Sequence, residues 1–292
     1  MERYKSIIPD FEAFREECQK EAVQTVRRNP LKASDDFEEK LKNDFPEASQ
    51  SDWNSDVFRL PRDISPGKSM LHWRGEYYVQ EESASLPVEV LNPKSGEKVL
   101  DMCAAPGGKT TQIAGEMDNE GVVISNDDSS KRLQSLHANV YRTGSAIVDV
   151  TNYDGRRIPE DTVFDRVLVD APCSGEGNNA RRSFESSSEH EREHLSDLQF
   201  QLLEKASRLV KKGGTIVYST CTFAPEENEA VISKALDELD LEIESIETEI
   251  KSEEGVTKFN DQEFSEEVTK SVRVYPHFVN SGGIYVAKLR KK

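Results

Sequence analysis

Apolar residues along the chain follow two periods, and from residue 85 onward these periods alternate. Short apolar runs typical of buried strands are each followed by a segment in which apolar residues recur at helical spacing. The first predicted strands cover residues 99–102, 122–125 and 146–150, and the helices between them cover 109–116 and 129–141. This alternation predicts an α/β fold, in which a mostly parallel sheet carries helices on both faces.

The same scheme predicts the elements of the C-terminal part. Apolar runs at 167–169 and 215–220 predict two further strands. Between these strands, an apolar stripe at helical spacing comprises Leu195, Leu198, Leu202, Ala206 and Leu209. We expect this helix to stop at residues 211–214, which read Lys-Lys-Gly-Gly. Residues 224–229 should open the next helix, with acidic side chains in its first turn.

Residues 1–84 follow a different pattern and are predicted to form a small α+β domain. Its predicted elements are helices over 11–26 and 36–45 and a strand-like stretch over 57–60. The chain is therefore expected to divide into domains at 1–84 and 85–292. Two polar stretches, 178–194 and 247–270, fit no core element, and we interpret both as mobile surface segments.

Cysteine content and the distribution of apolar residues exclude several classes of protein. The 292 residues include four cysteines without Cys-x-x-Cys spacing, so neither a zinc site nor a disulfide framework is expected. Apolar runs are shorter than the ~20 residues of a membrane span, and the N-terminus lacks a signal-peptide pattern. We expect a cytoplasmic protein with reduced thiols, no metal and no membrane contact.

A loop of small residues after the strand at 99–102 predicts a cofactor site. The residues from this strand into the next helix are Asp101, Met102, Cys103, Ala104, Ala105, Pro106, Gly107, Gly108 and Lys109. Glycine and alanine let the backbone approach a ligand closely, and amides at a helix N-terminus favour anionic groups. A P-loop would need glycine at position 103, and Gly-x-Gly-x-x-Gly is absent, so neither nucleotide-binding motif is favoured. Asp127, at the end of the next strand, is expected to bind ribose hydroxyls.

Two cysteine motifs follow predicted strands in a similar way. Asp170-Ala171-Pro172-Cys173-Ser174-Gly175 follows the strand at 167–169, and Ser219-Thr220-Cys221-Thr222 ends the strand at 215–220. Ligands bind at the carboxyl ends of strands in open parallel sheets, so both thiols should face one crevice. The sequence therefore predicts a thiol-dependent enzyme with a nucleotide-like cofactor.

Taken in order, these three motifs resemble those of the Sun/RsmB/RsmF family of S-adenosylmethionine-dependent RNA (cytosine-5-) methyltransferases. The resemblance also covers residues 26–32, 75–83, 275–277 and 282–289. It implies a class I methyltransferase with a Rossmann-like sheet, in which 1–84 bind RNA and 85–292 carry out catalysis. Both ends of the chain are similar to archaeal, tRNA-type members. The implied cofactor is S-adenosyl-L-methionine, the implied partner is RNA, foremost tRNA, and a monomer is expected.

The resemblance also implies roles for four side chains. Cys221 would be the nucleophile that adds to carbon 6 of cytosine, because carbon 5 alone attacks a methyl sulfonium poorly. Cys173 would assist removal of the carbon 5 proton and release of the enzyme. Asp170 would hydrogen-bond the cytosine edge, and Lys109 would favour the thiolate or hold the base. DNA cytosine methyltransferases use the Pro-Cys thiol as nucleophile, so the opposite assignment of the two thiols is the alternative.

The resemblance implies a set of cofactor contacts as well. The residues expected to bind S-adenosylmethionine are Cys103, Ala104, Ala105, Pro106, Gly107, Gly108, Lys109, Asp127, Arg132, Asp154 and Asp170. The loop would contact the methionine part, Asp127 the ribose and Asp154 the adenine amine, with Arg132 supporting the acidic residue. Asp149 is the alternative to Asp154, because it lies nearer a predicted strand end.

Net charge bears on how such a protein would hold RNA. The formal charge is −17, so an RNA-binding surface has to concentrate the basic residues. Basic residues cluster at 27–28, 156–157, 181–182, 211–212 and 290–292. The closest alternative function changes the substrate to ribosomal RNA. An alternative of another class is a non-catalytic RNA-binding or ribosome-assembly factor, and a thiol-based DNA methyltransferase is a further one.

Overall fold

Two sheets, one small and one large, contain most strands of the protein. The computed structural model describes residues 1–62 and 64–292. The small sheet consists of β1 Gln24–Arg28, β2 Ser49–Gln50, β3 Val57–Leu60 and β4 Tyr77–Val79, in the order β2-β3-β1-β4. The later strands are β5 Lys98–Asp101, β6 Val122–Asn126, β7 Val148–Thr151, β8 Phe164–Asp170, β9 Val210–Thr220, β10 Leu241–Glu244, β11 Glu253–Glu254, β12 Lys258–Phe259, β13 Gln262–Glu263, β14 Val272–Val274 and β15 Ile284–Lys291. The large sheet has the order β11-β14-β15-β9-β8-β5-β6-β7, with β10 beside β15.

Helices cover both faces of the large sheet. The helices of the described residues are α1 Phe11–Cys18, α2 Phe37–Asp44, α3 Met70–Arg74, α4 Leu86–Leu91, α5 Gly108–Glu116, α6 Ser130–Thr143, α7 Glu176–Asn179, α8 Glu189–Leu209, α9 Glu229–Glu238 and α10 Pro276–Val279, of which α2 and α3 pack on the small sheet. Successive strand residues point to opposite faces, so Leu100 packs with Leu203 of α8, whereas Val99 packs with Ile113 of α5. Strands β9, β8, β5, β6 and β7 run parallel, and β15 is antiparallel to β9. The predicted mostly parallel α/β sheet is therefore confirmed.

The boundary between α8 and β9 differs from the prediction. The helix ends at Leu209, and residues 211–214 belong to the strand rather than to a helix stop. Val210 is buried and pairs with Phe164, which draws the chain into the sheet directly after the helix. Gly213 has a φ of 75°, and the register between β8 and β9 shifts at this point. The two glycines thus serve a bulge in the sheet.

The start of α9 also differs from the prediction. The helix begins at Glu229, whereas residues 224–228 form turns closed by Glu227 N–H to Ala224 O, at 3.1 Å, and Asn228 N–H to Pro225 O, at 3.3 Å. Glu226 and Glu227 therefore precede the helix, and only Glu229 is an acidic residue of its first turn. The carboxylate of Glu227 instead accepts hydrogen bonds from residues beside the two cysteine motifs.

The predicted helix at 11–26 is wrong in its second half. Helix α1 ends at Cys18, and Val26 lies in the middle of β1, where it pairs with Phe58 and Val79. Val26 is fully buried in the core of the small sheet with Phe58 and Tyr77. Tertiary packing and β-branched residues therefore decide for strand over helix here. The predicted helix at 36–45 and strand at 57–60 are confirmed to within one residue.

The first 18 residues pack against the C-terminal part of the chain. Tyr4, Phe14 and Cys18 are buried in one cluster with Phe223 and Tyr275. Helix α1 also contacts α10. Residues 1–18 thus share a core with residues far beyond position 84. The expected division at residue 84 stays a prediction.

The acidic stretch 247–270 contributes to the core, contrary to its interpretation as a surface segment. Ile250, Phe259 and Val268 are buried in three different clusters of apolar side chains. Strand β11 within it pairs with β14 at the edge of the large sheet. The other stretch, 178–194, contains the start of α8, including Arg192, which is also buried. Single apolar residues among many acidic ones are thus enough to fix the position of 247–270.

Neither a membrane-spanning helix nor a metal-ligand cluster is found among the described residues. Among residues 1–62 and 64–292, no helix is long and apolar enough to cross a membrane. The same residues contain no group of three or more histidine, cysteine, aspartate or glutamate side chains that could hold a metal ion. All four cysteines are free thiols.

Candidate active site

The ends of β8 and β9 bring two cysteines together. These neighbouring parallel strands are in register with Asp170 opposite Ser219, so the loops that follow them start at the same level. Cys173 and Cys221 lie in these loops with their Sγ atoms 3.2 Å apart. The backbone N–H of Cys221 also donates to the Cys173 sulfur, at 3.3 Å. The two thiols therefore lie side by side at the carboxyl ends of β8 and β9, and their opening into one crevice stays a prediction.

The two thiols differ in how readily they ionise. The hydrogen bond with Cys173 lowers the pKa of Cys221. Burial and the Asp170 carboxylate oppose this effect and the charge of Lys109 reinforces it, and the net shift is downward. The hydrogen bond with Cys221, together with burial, raises the pKa of Cys173. A thiolate is a far better nucleophile than a thiol. The arrangement thus favours ionisation of Cys221 over that of Cys173.

A lysine and an aspartate form an ion pair beside these thiols. Lys109 Nζ lies 2.7 Å from Asp170 Oδ2, while the hydroxyl of Ser219 donates to Asp170 Oδ1 at 2.7 Å. Burial lowers the pKa of Lys109, but Asp170, Cys221 and Asp101 together raise it by more, so the net shift is upward. The lysine is consequently a fixed positive charge beside Cys221.

The small-residue loop is held in place by the acid at the end of β6. The backbone N–H of Ala105 donates to Asp127 Oδ2 at 3.2 Å, and the guanidinium of Arg132 binds both the Ala105 carbonyl and the Asp127 carboxylate. Gly107 has a φ of 106°, and a Cβ there would lie 2.8 Å from a methyl group of Leu136. Both the backbone conformation and the close approach of α6 therefore require glycine at this position.

Asp127 and Asp154 line the same cleft, of about 100 Å³. Its remaining lining residues include apolar side chains, namely Met102, Pro172, Leu198 and Leu202. Asp154 caps a short 3₁₀ helix and pairs with Arg156, at 2.7 Å. Asp149, the alternative, is exposed in β7 and does not line this cleft, as far as the described residues define it. An apolar slot between two carboxylates suits a purine base with its ribose.

A second cleft, of about 200 Å³, lies between the loop and the small sheet. It is lined by Tyr78, Gln80, Asp101, Cys103–Pro106, Gly108, Lys109 and Asp170, among others. Burial raises the pKa of Asp101 to about 7. One oxygen of Asp101 and the amide nitrogen of Gln80 are buried without a partner among the described residues. An unpaired acceptor and an unpaired donor fit the amino and carboxylate groups of a methionine moiety.

The roles of Tyr78, Gln80 and Asp101 were missed in the sequence. Asp101 ends the strand that precedes the loop, a position that itself indicates ligand binding. Tyr78 lies in β4, and Gln80 directly follows this strand. In the sequence, this stretch is recognised only by its resemblance to the family. Their approach to Gly108, where a Cβ would lie 3.2 Å from Tyr78 and 3.3 Å from Gln80, depends on how the two sheets pack.

Another missed feature is a buried network that joins the two cysteine loops. The carboxylate of Glu227 accepts from the backbone N–H of Ser174 at 3.0 Å, from the Ser174 hydroxyl at 2.5 Å and from Gln199 at 2.9 Å. The Ser174 hydroxyl also lies 2.8 Å from that of Thr222. Since Ser174 follows Cys173 and Thr222 follows Cys221, this network fixes the separation of the thiols.

Several basic pairs are committed to internal contacts. Arg27 is buried, and its guanidinium donates to Gly108 O at 2.9 Å, to Gln80 at 2.7 Å and to Gln112 at 3.0 Å. Arg181 similarly donates to the carbonyl of Glu17 at 2.8 Å. The pairs 27–28 and 181–182 therefore each lose one cation to the interior, and the expected RNA-binding patch cannot be assembled from all of them.

Comparison with known proteins agrees with the geometry of this site. A family model described as 16S rRNA methyltransferase RsmB/F matches residues 88–290, and one for the N-terminal domain of 16S rRNA methyltransferase RsmF matches residues 1–82. A tRNA (cytosine(49)-C(5))-methyltransferase from Pyrococcus abyssi is 36% identical, over 100% of this chain and 95% of that protein. Ribosomal RNA small subunit methyltransferase F from Vibrio parahaemolyticus is 35% identical over 100% of this chain, which spans 62% of that protein.

The fold is shared with a solved structure of similar length. A methyltransferase homologue from Pyrococcus horikoshii superimposes with a TM-score of 0.89 at 34% identity, over 100% of this chain and 94% of that one. The nop2 25S rRNA (cytosine-C(5))-methyltransferase from Schizosaccharomyces pombe is 41% identical over 74% of this chain, but that match spans 37% of its own length. The chain belongs to the RsmB/F family of S-adenosylmethionine-dependent RNA (cytosine-5-) methyltransferases.

Proposed function

We propose that this protein transfers a methyl group to carbon 5 of a cytosine in tRNA. The observation that carries the chemistry is the pair of thiols 3.2 Å apart, beside the ion pair of Lys109 and Asp170. The choice of tRNA is supported by the relative from Pyrococcus abyssi, which this chain matches over 95% of its length. The ribosomal RNA enzymes compared above are considerably longer than this chain.

The side chains at the ends of β8 and β9 suggest how the base is activated. The thiolate of Cys221 adds to carbon 6 of the cytosine, and the electron pair of the 5,6 double bond makes carbon 5 nucleophilic. The carboxylate of Asp170 accepts a hydrogen bond from the exocyclic amine, while the charge of Lys109 stabilises the thiolate and the adduct. S-adenosylmethionine supplies an electrophilic methyl group in this reaction. Cys173 then helps to remove the carbon 5 proton, so that the bond to Cys221 breaks and the double bond re-forms.

The two clefts fit the cofactor residues expected from the sequence. Asp127 would bind the ribose hydroxyls and Asp154 the adenine amine, since both carboxylates line the apolar cleft. The loop from Cys103 to Gly108, together with Asp101 and Gln80, would hold the methionine part. A cytosine inside folded RNA has to leave its stack to enter this crevice, so flexible or exposed cytosines are the preferred targets.

The assignment of adenine to Asp154 can be tested by comparing carboxylates. Asp127→Ala and Asp154→Ala should each weaken S-adenosylmethionine binding about tenfold, because a hydrogen bond to a charged group is lost. Asp149→Ala should bind as the wild type does, since that side chain lies on exposed β7. Isothermal titration calorimetry measures all three variants. Weaker binding by Asp149→Ala with normal binding by Asp154→Ala would reverse the assignment.

The substrate is tested by methylation of separate RNA pools. We expect the purified protein to transfer tritium from labelled S-adenosylmethionine to unmodified tRNA and to leave deproteinised ribosomal RNA unlabelled. Mapping the label to a cytosine by sequencing identifies the position. Label confined to ribosomal RNA would make ribosomal RNA the substrate instead of tRNA. Absence of both label and cofactor binding would favour the non-catalytic alternative. The monomeric state and cytoplasmic location stay predictions, the first of which light scattering can measure.

A further inference from the structure

The three most exposed large hydrophobic side chains of the described residues lie outside both clefts. They are Tyr141, Trp73 and Met70, with 89%, 70% and 62% of their surface exposed. Met70 and Trp73 belong to α3, and Tyr141 lies near the end of α6. A group of exposed large apolar side chains rimmed by polar residues is typical of an interaction site.

The two helices that carry these rings are fixed to each other. The side-chain amide of Asn29 donates to Gly75 O at 2.7 Å and to Thr143 O at 2.8 Å. Arg142 donates to the carbonyl of His72 at 2.9 Å. Trp73 directly follows His72, and Tyr141 directly precedes Arg142. The two rings are therefore carried by neighbouring helices that are held together by fixed contacts.

Basic residues surround the exposed rings. Lys68 and Arg74 are exposed on either side of Trp73, and exposed Lys32 lies against Gly144, beyond the end of α6. The acidic groups nearby are Asp44, which accepts from Ser69, and buried Glu76, 3.9 Å from Arg74. Three exposed cations thus lie on or beside these elements, although the whole chain has a charge of −17.

This surface is continuous with the cleft that holds Lys109 and Asp170. Arg142 lies over the ring of Tyr78, at 5.7 Å, and Tyr78 lines that cleft. Asn139, two residues before Tyr141, donates to the carbonyl of Pro106 in the small-residue loop, at 3.0 Å. A strand of RNA whose target base lies beside Lys109 and Asp170 can therefore extend past Tyr78 and Arg142 toward the exposed rings.

We propose that Trp73 and Tyr141 stack with unpaired bases flanking the target cytosine, while Lys32, Lys68 and Arg74 contact the adjacent phosphates. The inference rests on the proposed function, since it concerns the same RNA. Base stacking on aromatic side chains tolerates any sequence, and cations add a salt-dependent attraction to the backbone. This surface compensates for the basic pairs that are committed to internal contacts.

Single substitutions of the rings test the proposal. Trp73→Ala and Tyr141→Ala should each weaken binding to unmodified tRNA about tenfold in fluorescence anisotropy, and raise KM for tRNA while kcat is kept. Trp73→Phe, which preserves a stacking surface, should restore most of the affinity. The double variant Lys68→Gln/Arg74→Gln should lower the slope of log Kd against log salt concentration by about 1.5.

Val163→Ala is the control, because it removes another exposed apolar side chain, 55% exposed, which lies just before β8 and is not one of the residues of the proposed surface. The control should bind tRNA as the wild type does, and all variants should keep their affinity for S-adenosylmethionine. Unchanged tRNA affinity in both ring variants overturns the proposal. The same holds if their tRNA affinity is unchanged but light scattering shows that they have lost self-association. If the wild type methylates no RNA, the proposed function itself fails; if it methylates and the ring variants bind normally, only this inference fails.

Discussion

Replacing Cys221 with alanine is expected to lower the rate of RNA methylation by at least ~10³-fold, because the covalent route through carbon 6 is lost. Replacing Cys173 should instead leave the protein covalently attached to its RNA. In that variant Cys221 can still add to the base, but the step that removes the carbon 5 proton and releases the enzyme is impaired. Although the two sulfur atoms lie only 3.2 Å apart, the two substitutions should therefore have different outcomes. Loss of Cys221 prevents the covalent adduct, whereas loss of Cys173 traps it.

Denaturing gel electrophoresis with end-labelled tRNA and unlabelled S-adenosylmethionine measures the adduct. We expect a slowly migrating band with Cys173→Ala and none with Cys221→Ala or with the double variant. Cys18→Ala is the matched control: Cys18 is buried in α1, where burial raises the pKa of its thiol to about 11. This control should methylate tRNA at nearly the wild-type rate.

The opposite band pattern would exchange the roles of the two thiols. An adduct with Cys221→Ala and none with Cys173→Ala would make Cys173 the nucleophile, as in DNA cytosine methyltransferases. Full activity in both single variants would show that neither thiol is needed for the reaction. The structure favours the first assignment, because the pKa of Cys221 is lowered overall, through its hydrogen bond with Cys173 and the charge of Lys109 against burial and the Asp170 carboxylate, whereas the pKa of Cys173 is raised.

The parallel strands that carry the site could be predicted because they are buried on both faces. Residues 167–169 and 215–218 contain an almost unbroken apolar run, since neither side of the strand meets water. Once the strands are known, the position of each cysteine motif follows, because the carboxyl ends of parallel strands lie at one edge. Local sequence was therefore sufficient for the placement of Cys173 and Cys221.

Contacts between distant segments could not be predicted in the same way. Val26 continues a helical pattern in the sequence, and only its pairing with Phe58 and Val79 makes it part of a strand. Residues 225–229 look like the acidic start of a helix, but Glu227 is bound to Ser174, 53 positions earlier. Neither hydrophobic period nor motif spacing reports on partners so far apart.

Glu227→Ala should lower kcat about 10²-fold although Glu227 touches neither thiol. Its carboxylate is buried, and burial raises its pKa even though Ser174 and Gln199 donate to it. Alanine leaves the partly buried backbone N–H of Ser174 without its acceptor and removes one of the two acceptors of Gln199, which should reduce the free energy of unfolding by about 3 kcal/mol. The loop of Cys173 then moves relative to Cys221, and an error of about 1 Å in such a site costs on the order of 10²-fold in rate. Thermal unfolding and single-turnover methylation, at a temperature where the variant is folded, measure the two effects separately.

Glu226→Gln is the control, because its carboxylate is one position away but pairs with Arg3 and Arg192 rather than with the cysteine loops. It should keep kcat within about twofold of the wild type, whatever it costs in stability. Glu227→Gln, which preserves one acceptor oxygen, should fall between the wild type and Glu227→Ala in both measurements. A purely structural role predicts that kcat returns to normal once the folded fraction is accounted for. A positioning role predicts that kcat stays low in the fully folded variant with KM for S-adenosylmethionine unchanged, because the cofactor cleft does not include Glu227 among its described lining residues.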